Sequence, residues 1–371
     1  MSPSEITVLG GLLIGLVYGA AAQVTGFCLN RALRDRFSSG AQLNLNPHTD
    51  TPRIPIASKA PNTSNAPNTS NTRTSATQRG SKLRSFILAL AIAMTGTQWA
   101  QHTNLINLSQ SIYLTQQFSW FLIPAGGLLF GWGMMLARGC GARSLVLLGQ
   151  GNMRSLVVVL CLGISAFMTL TGLLGPLRSN IASVTTVSIP WSSLQQRWGA
   201  AFVVLALLFY VFKDRGFLKQ SRDLWGGIIV GLMIVAGWLV TSWLGFDEFE
   251  TNAPGSVGSL TFVAPIGLAI QYAMIATGLS LSFGVTVVLG VVVGAFVSAR
   301  VTGTHRFEGF RSPEEIRRYI MGGVCMGIGG ALAMGCSIGQ GLTGLSTLSY
   351  VSMLAVSGIV IGARWALHRG F

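Results

Sequence analysis

Apolar residues in this chain come in long blocks rather than in the alternation of a half-buried strand. Blocks near 6–27, 85–100, 119–137, 153–175, 197–213, 225–246, 279–299, 319–335 and 349–367 reach or approach the roughly 20 residues a helix needs to cross a bilayer. The pattern predicts an all-α polytopic membrane protein with about nine transmembrane helices. Three weaker apolar pieces, 103–118, 255–275 and 337–348, are short or interrupted by Gly or Pro. They are expected as re-entrant half-helices, which a membrane tolerates only inside protein or along a cavity.

Polar positions set the orientation. Arg31, Arg34, Arg36, Arg53, Lys59, Arg73, Arg79, Lys82 and Arg84 follow the first block. Lys213, Arg215, Lys219 and Arg222 form a second basic loop, Arg300, Arg306, Arg311, Arg317 and Arg318 a third, and Arg364 and Arg369 close the chain. Basic loops stay cytoplasmic. The N-terminus and the acidic loop Asp247, Glu248, Glu250 are therefore expected outside and the C-terminus inside, which an odd number of spans satisfies. The segment 38–82 holds the polar repeat APNTSNAPNTSNT (60–72) and reads as a disordered cytoplasmic insertion. The start MSPSEITVLGG has no Lys or Arg and does not resemble a cleavable signal.

Composition agrees. Hydrophobic residues make up 50% of the chain and charged ones 10%, with a mean hydropathy of +0.57; soluble domains carry about 25% charged residues. The net charge of +14 belongs to the loops and does not call for a nucleic-acid partner. Five cysteines without a CxxC pair or zinc spacing point to neither a disulfide framework nor a metal site, and no cofactor is expected. The apolar blocks hold no acidic residue that would serve a proton relay.

Two internal matches stand out. Gly131 to Cys140 and Gly327 to Cys336 both read G-x-G-x-x-L-A-x-G-C, and Gly10–Leu16 resembles Gly226–Leu232. The matched segments run in opposite directions across the membrane, the mark of an inverted-topology repeat with a site near the midplane. The expected halves are 1–176, carrying the insertion, and 197–371.

Three cysteines share one setting. Cys28, Cys140 and Cys336 each follow a glycine within two residues, at a point where an apolar block ends. Gly26, Gly139, Gly141 and Gly335 are expected to allow an irregular backbone whose N–H groups face an anion. Half-helices starting near 141 and 337 would add positive ends. Arg138 and Arg143 either pair with the anion or mark the cytoplasmic edge; Ser337 and Gln340 offer further polar groups. Cys161 and Cys325 read as packing residues. His102 reads as a solvated loop residue.

The pieces GLVYGAAAQVTGFCLNRALRD (15–35), GMMLARGCGARSLVLLGQGNMRSL (133–156), GSLTFVAPIGLAIQY (258–272) and GGALAMGCSIGQGLTGLS (329–346) together resemble the YeeE/YedE family of sulfur-compound transport proteins. The resemblance implies an inner-membrane permease, not an enzyme, that passes thiosulfate between three embedded thiols by S–H···S hydrogen bonds. By motif position these are Cys28, Cys140 and Cys336. It also implies a separate small cytoplasmic sulfur-carrier protein as partner, besides membrane lipid. Weak, repeated thiol donors suit a soft sulfur dianion that must not be held tightly. The alternatives are a permease for a selenium compound and a membrane thiol oxidoreductase, the latter disfavoured by the missing CxxC pair.

Overall fold

The computed structural model describes residues 3–37, 80–108, 111–115, 117–188, 193–244, 257–278, 280–310 and 312–370. The polar repeat 60–72 and the acidic residues Asp247, Glu248 and Glu250 lie outside these. The described residues are mostly helical. In order the helices are α1 (Pro3–Thr25), α2 (Leu29–Phe37), α3 (Ser81–His102), α4 (Leu122–Leu136), α5 (Gly141–Gly149), α6 (Met153–Leu170) and α7 (Gly175–Thr185). Then come α8 (Ser193–Phe212), α9 (Arg215–Leu218), α10 (Ser221–Leu244), α11 (Val263–Met274), α12 (Phe283–Val301), α13 (Pro313–Leu332) and α14 (Tyr350–His368). A π-helical turn covers Gly339–Gly344. One small antiparallel sheet pairs β1 (Gln117–Ser119) with β2 (Thr186–Ser188).

Among the described residues, five helical runs are long and apolar enough to cross a membrane: Glu5–Phe37, Met153–Leu170, Ser221–Trp243, Phe283–Val301 and Tyr350–His368. The protein is an all-helical, multi-pass membrane protein. Large apolar side chains such as Leu13, Ile164, Phe209, Leu232 and Ile361 are exposed on its sides. Lipid tails accept such a surface without penalty.

Two expectations need correction. The described part of segment 103–118 is not a half-helix: it includes a 3₁₀ turn at Ile112–Leu114 and the first residues of β1. Its Asn104, Asn107 and Ser111 favour turns over helix. Conversely, Arg31, Arg34 and Arg36 lie not in a loop but on α2, which buries Leu29, Asn30, Ala32 and Leu33. That spacing is one face of a helix.

Glycine explains how closely the helices pack. A Cβ on Gly15 would fall 2.3 Å from the Val287 carbonyl oxygen, and one on Gly19 equally close to that of Val291. From the other side, Gly290 and Gly294 meet the carbonyls of Leu12 and Leu16. So α1 and α12 cross through a pair of G-x-x-x-G stripes, backbone on backbone. The crossing of α4 and α14 repeats this with Gly127 and Gly131 against Gly358 and Gly362.

The helix packing has a regular order. Helix α1 lies on α12, and α10 on α3; α4 lies on α14, and α13 on α6. Helices α1 and α10 touch each other, as do α4 and α13. Polar contacts gather the basic residues at one end of the bundle. Lys82 at the start of α3 pairs with Asp223 at 2.6 Å and donates to the Thr25 carbonyl at the end of α1, 2.8 Å away. Asp223 also accepts from Ser81, and Arg84 pairs with Asp214. Arg154 at the start of α6 bridges to Glu315 at 2.8 Å. At the opposite end, Ser349 donates to the Tyr113 carbonyl at 2.5 Å and Ser242 to that of Leu105.

Candidate functional site

Four chain breaks meet deep inside the bundle. Helix α1 ends at Gly26, whose φ of 66° is left-handed and whose N–H bonds the Ala22 carbonyl at 3.0 Å. This is the glycine-terminated αL end of a helix. Helices α4 and α13 end in matching turns. In both, the N–H of the glycine bonds a carbonyl five residues back: Gly139 to Met134 at 3.1 Å, Gly335 to Gly330 at 2.9 Å. The left-handed residues are Arg138 (φ 55°) and Met334 (φ 57°). The irregular backbone expected at Gly139 and Gly335 therefore sits one residue earlier, on side chains for which that conformation is costly. Gly141 and Gly335 serve close packing, with Cβ positions 3.2 Å from Leu162 and 3.1 Å from Gln340.

After each break a cysteine opens the next segment. The carbonyls of Cys28, Cys140 and Cys336 accept the first helical bond from Ala32, Ser144 and Gln340, at 3.2, 2.9 and 2.8 Å. The fourth break does the same with Phe262, whose carbonyl accepts from Ile266 at 3.2 Å. All three thiols are outside any disulfide and buried, 5%, 2% and 1% exposed. Cys140 lies beside the Cys28 thiol and Ser337, whose buried hydroxyl has no hydrogen-bond partner among the described residues. The Cys336 sulfur accepts the Gly339 N–H at 3.2 Å and lies 4.0 Å from the Thr261 hydroxyl. Tyr18, 2% exposed, is within electrostatic range of all three thiols and of Arg143. Its ring packs on Phe262, 5.4 Å between centroids.

The supporting residues fall into two kinds. Arg143 is on the first turn of α5 and only 2% exposed, so it lies inside the bundle beside the thiols and not at its edge. Arg138 is half-buried. Ser337 is fully buried. Gln340 is occupied by structure: its amide donates to the Ala333 and Met334 carbonyls at 2.8 and 3.1 Å and accepts from Ser352 at 2.6 Å. It holds the turn before Cys336. At the end of α4 other carbonyls are held from another helix, Met134 by Asn30 at 2.6 Å and Met135 by Arg34 at 2.7 Å. Cys161 and Cys325 are half-buried on α6 and α13, where Gly323 and Gly133 pack against them.

Sequence reading missed Tyr18 and Thr261. Both lie in the pieces quoted above, but neither a lone tyrosine in an apolar block nor a threonine before α11 signals a site. Only their closeness to the thiols marks them.

The family model for sulphur transport matches residues 69–365 and so includes Cys140 and Cys336. The chain is similar to "Thiosulfate transporter TsuA" of Spirochaeta thermophila, 26% identical over 66% of this chain and 77% of that protein. It is also similar to "Thiosulfate transporter TsuA" of Escherichia coli K12, 23% identical over 76% of this chain and 84% of that one. With that match over most of its length, the chain belongs to the sulphur transport (YeeE/YedE) family, whose role is transport and not catalysis.

Proposed function

We propose that this protein is an inner-membrane permease that carries thiosulfate, or a closely related inorganic sulfur anion, into the cytoplasm along Cys28, Cys140 and Cys336. The observation that carries the reading is the convergence of the three buried thiols at the starts of short segments, next to a buried arginine. A dianion entering such a place loses water and needs donors already in position. Thiols and backbone N–H groups at the starts of α2 and α5 supply weak ones, and Arg143 supplies charge. No single donor holds the ion strongly, so it can leave again. The names of the two relatives favour thiosulfate.

The same reading takes the protein as about nine spans in an inverted-topology repeat, halves 1–176 and 197–371. It is supported by the exchange order of the packing: replacing α1, α3, α4 and α6 by α10, α12, α13 and α14 turns each packed pair into another observed pair. The gathering of basic residues at one end supports a cytoplasmic C-terminus and a periplasmic N-terminus. A small cytoplasmic sulfur-carrier protein would receive the anion at the basic end.

The test is uptake of radiolabelled thiosulfate by cells that lack their own sulfur permeases. Replacing Cys28, Cys140 or Cys336 by Ala removes a donor from a dry path, at about 1–3 kcal/mol, or roughly tenfold or more in rate. Replacement by Ser keeps a donor of similar size. A sulfur-specific relay is poorly rescued by Ser. Normal uptake in all three Cys→Ser variants ends the relay.

A further inference from the structure

A groove of about 640 Å³ lies between the end of α5, the start of α6 and the second half of α12. Its walls are apolar, built from Leu148, Met153, Val292, Val293, Phe296 and Phe307. Met153, Val293, Phe296 and Phe307 are exposed, so the groove opens on the outer flank of the bundle. Two membrane-long helices fix its height. Helix α6 begins at Met153 and α12 ends at Val301. The groove therefore sits where both spans reach the same membrane face, at the end that gathers Lys82, Arg84 and Arg154. At that depth the surrounding medium is lipid, and an apolar groove between spans takes an acyl chain.

The rim of the groove is cationic. His305 lines it, edge-on to Phe296 and Phe307 with ring centroids 5.5 and 5.1 Å away. Arg300, in the last turn of α12, lays its guanidinium on the Phe296 ring, 4.9 Å from the centroid. Arg300 and Arg306 are both exposed, and neither has an acidic partner among the described residues. Glu308, the acid of the same loop, is taken by the Asn152 amide at 3.2 Å. Cations at a span's end, one of them stacked on an aromatic ring, suit a phosphate held above an acyl chain.

The groove touches the thiols' support through α5. Its wall at Leu148 and Gly149 is the last turn of the helix that Cys140 caps and that carries Arg143. Beyond that turn the chain is tied to the loop of His305: the Gln150 carbonyl accepts from the Arg306 N–H at 3.1 Å, and the Met153 N–H donates to the Glu308 carbonyl at 3.0 Å. A molecule in the groove braces α5 and this loop together.

We infer that the groove is a site for an anionic phospholipid, with an acyl chain between α5, α6 and α12 and its phosphate on Arg300 and Arg306, bracing the helix that follows the Cys140 turn. Binding stands apart from transport; only its effect on uptake rests on the permease reading above.

The experiment reads quenching of a tryptophan in the groove wall, Phe296→Trp, by brominated phosphatidylglycerol or brominated phosphatidylcholine in vesicles, with the protein lacking this substitution as background. Phosphatidylglycerol should bind roughly twentyfold tighter, from a factor of about five for each arginine near an anionic headgroup. Arg300→Gln together with Arg306→Gln should bring the ratio below about threefold, and the two Arg→Lys changes should keep most of it. Equal quenching by the two lipids overturns the site. An unchanged ratio in the Gln pair also overturns it, since any basic end would then gather the same lipid. Competition by glycerol 1-phosphate as strong as by the lipid would make this a site for free anions and overturns the lipid. If the Gln pair fails to fold, the wild type decides: its Tm should be several degrees higher in phosphatidylglycerol than in phosphatidylcholine, and equal values overturn the inference. Thiosulfate uptake by the same vesicles is read separately. It should be several times faster with phosphatidylglycerol in the wild type and lose that dependence in the Gln pair; selective binding with uptake indifferent to lipid overturns the bracing of α5. Selective binding without uptake in any lipid removes the permease reading and leaves the site. Uptake without selective binding removes only the site.

Discussion

The two Gly-Cys turns have nearly the same backbone and different chemistry. Each ends a glycine-rich helix, passes through a left-handed residue and opens a short segment with a buried cysteine. Three residues after Cys140 stands Arg143; three after Cys336 stands Gly339, whose N–H reaches the cysteine sulfur. In both turns the backbone N–H three residues on reaches the sulfur; the first turn adds a full charge there, the second the Thr261 hydroxyl. The segments that follow differ too. Both run to a second left-handed residue just before the cap of the next helix, Gly151 before Asn152 and Leu348 before Ser349. From Arg138 to Gly151 the path is the regular helix α5; from Met334 to Leu348 it is one residue longer and contains the π turn. A π turn is how a helix takes up one extra residue. Backbone geometry is the shared part, and side-chain chemistry is where the two turns have diverged.

The most damaging single change should be loss of the charge. Arg143→Gln removes a buried cation beside the thiols. At a separation of about 6 Å and an effective dielectric near 20, a unit charge acts with about 3 kcal/mol, so uptake should fall roughly a hundredfold. Initial uptake rates at saturating thiosulfate check this. A loss below twofold would mean that both turns work through neutral donors, and the contrast drawn here would vanish.

Next comes the support of the turns. Gln340→Leu leaves the Ala333 and Met334 carbonyls without their side-chain donor, and Asn30→Leu removes one of two donors to the Met134 carbonyl, which keeps the Gly139 N–H. Each should cost about 1–3 kcal/mol of stability. Thermal unfolding of the detergent-solubilised protein should show a lower Tm in both, by several degrees. An unchanged Tm with lost uptake in Gln340→Leu would instead make Gln340 a ligand of the anion.

A smaller effect separates backbone from side chain. Glycine relieves a left-handed site, so Met334→Gly and Arg138→Gly should each leave Tm unchanged or raise it by a degree or two, an effect of about 1 kcal/mol or less. Met334→Gly should transport normally. A change in uptake in Arg138→Gly alone would assign a role to its charge. The smallest effect is expected for Cys161→Ala, half-buried on α6, whose uptake should stay within about twofold of wild type.

Much of this was legible in the sequence, for physical reasons that also explain the gaps. Long apolar blocks have one stable form in lipid, and each block described lies on a helix. The G-x-G-x-x-L-A-x-G-C match pointed to both turns because glycine at a close crossing admits no substitute. Helix α2 was read as a loop because its arginines masked the apolar face Leu29, Ala32, Leu33. The left-handed residues were misplaced by one, since a glycine next door is the cheaper occupant and the chain does not use it. Tyr18 and Thr261 were hidden because neither stands in a Gly-Cys turn and each gains meaning only from packing.

The glycine stripes limit how the protein can move. Sliding α1 along α12 by one residue is a 1.5 Å step. With the turn of about 100° that a one-residue register shift entails, it would set Leu16 against the Val287 carbonyl, where only Gly15 now fits. The same lock holds α4 on α14 through Gly127, Gly131, Gly358 and Gly362. Neither pair can shift by a single residue, so these crossings resist small sliding motions. On the transport reading proposed above, small openings of the turns around a fixed path would be enough for passage, and the temperature dependence of uptake should then be shallow.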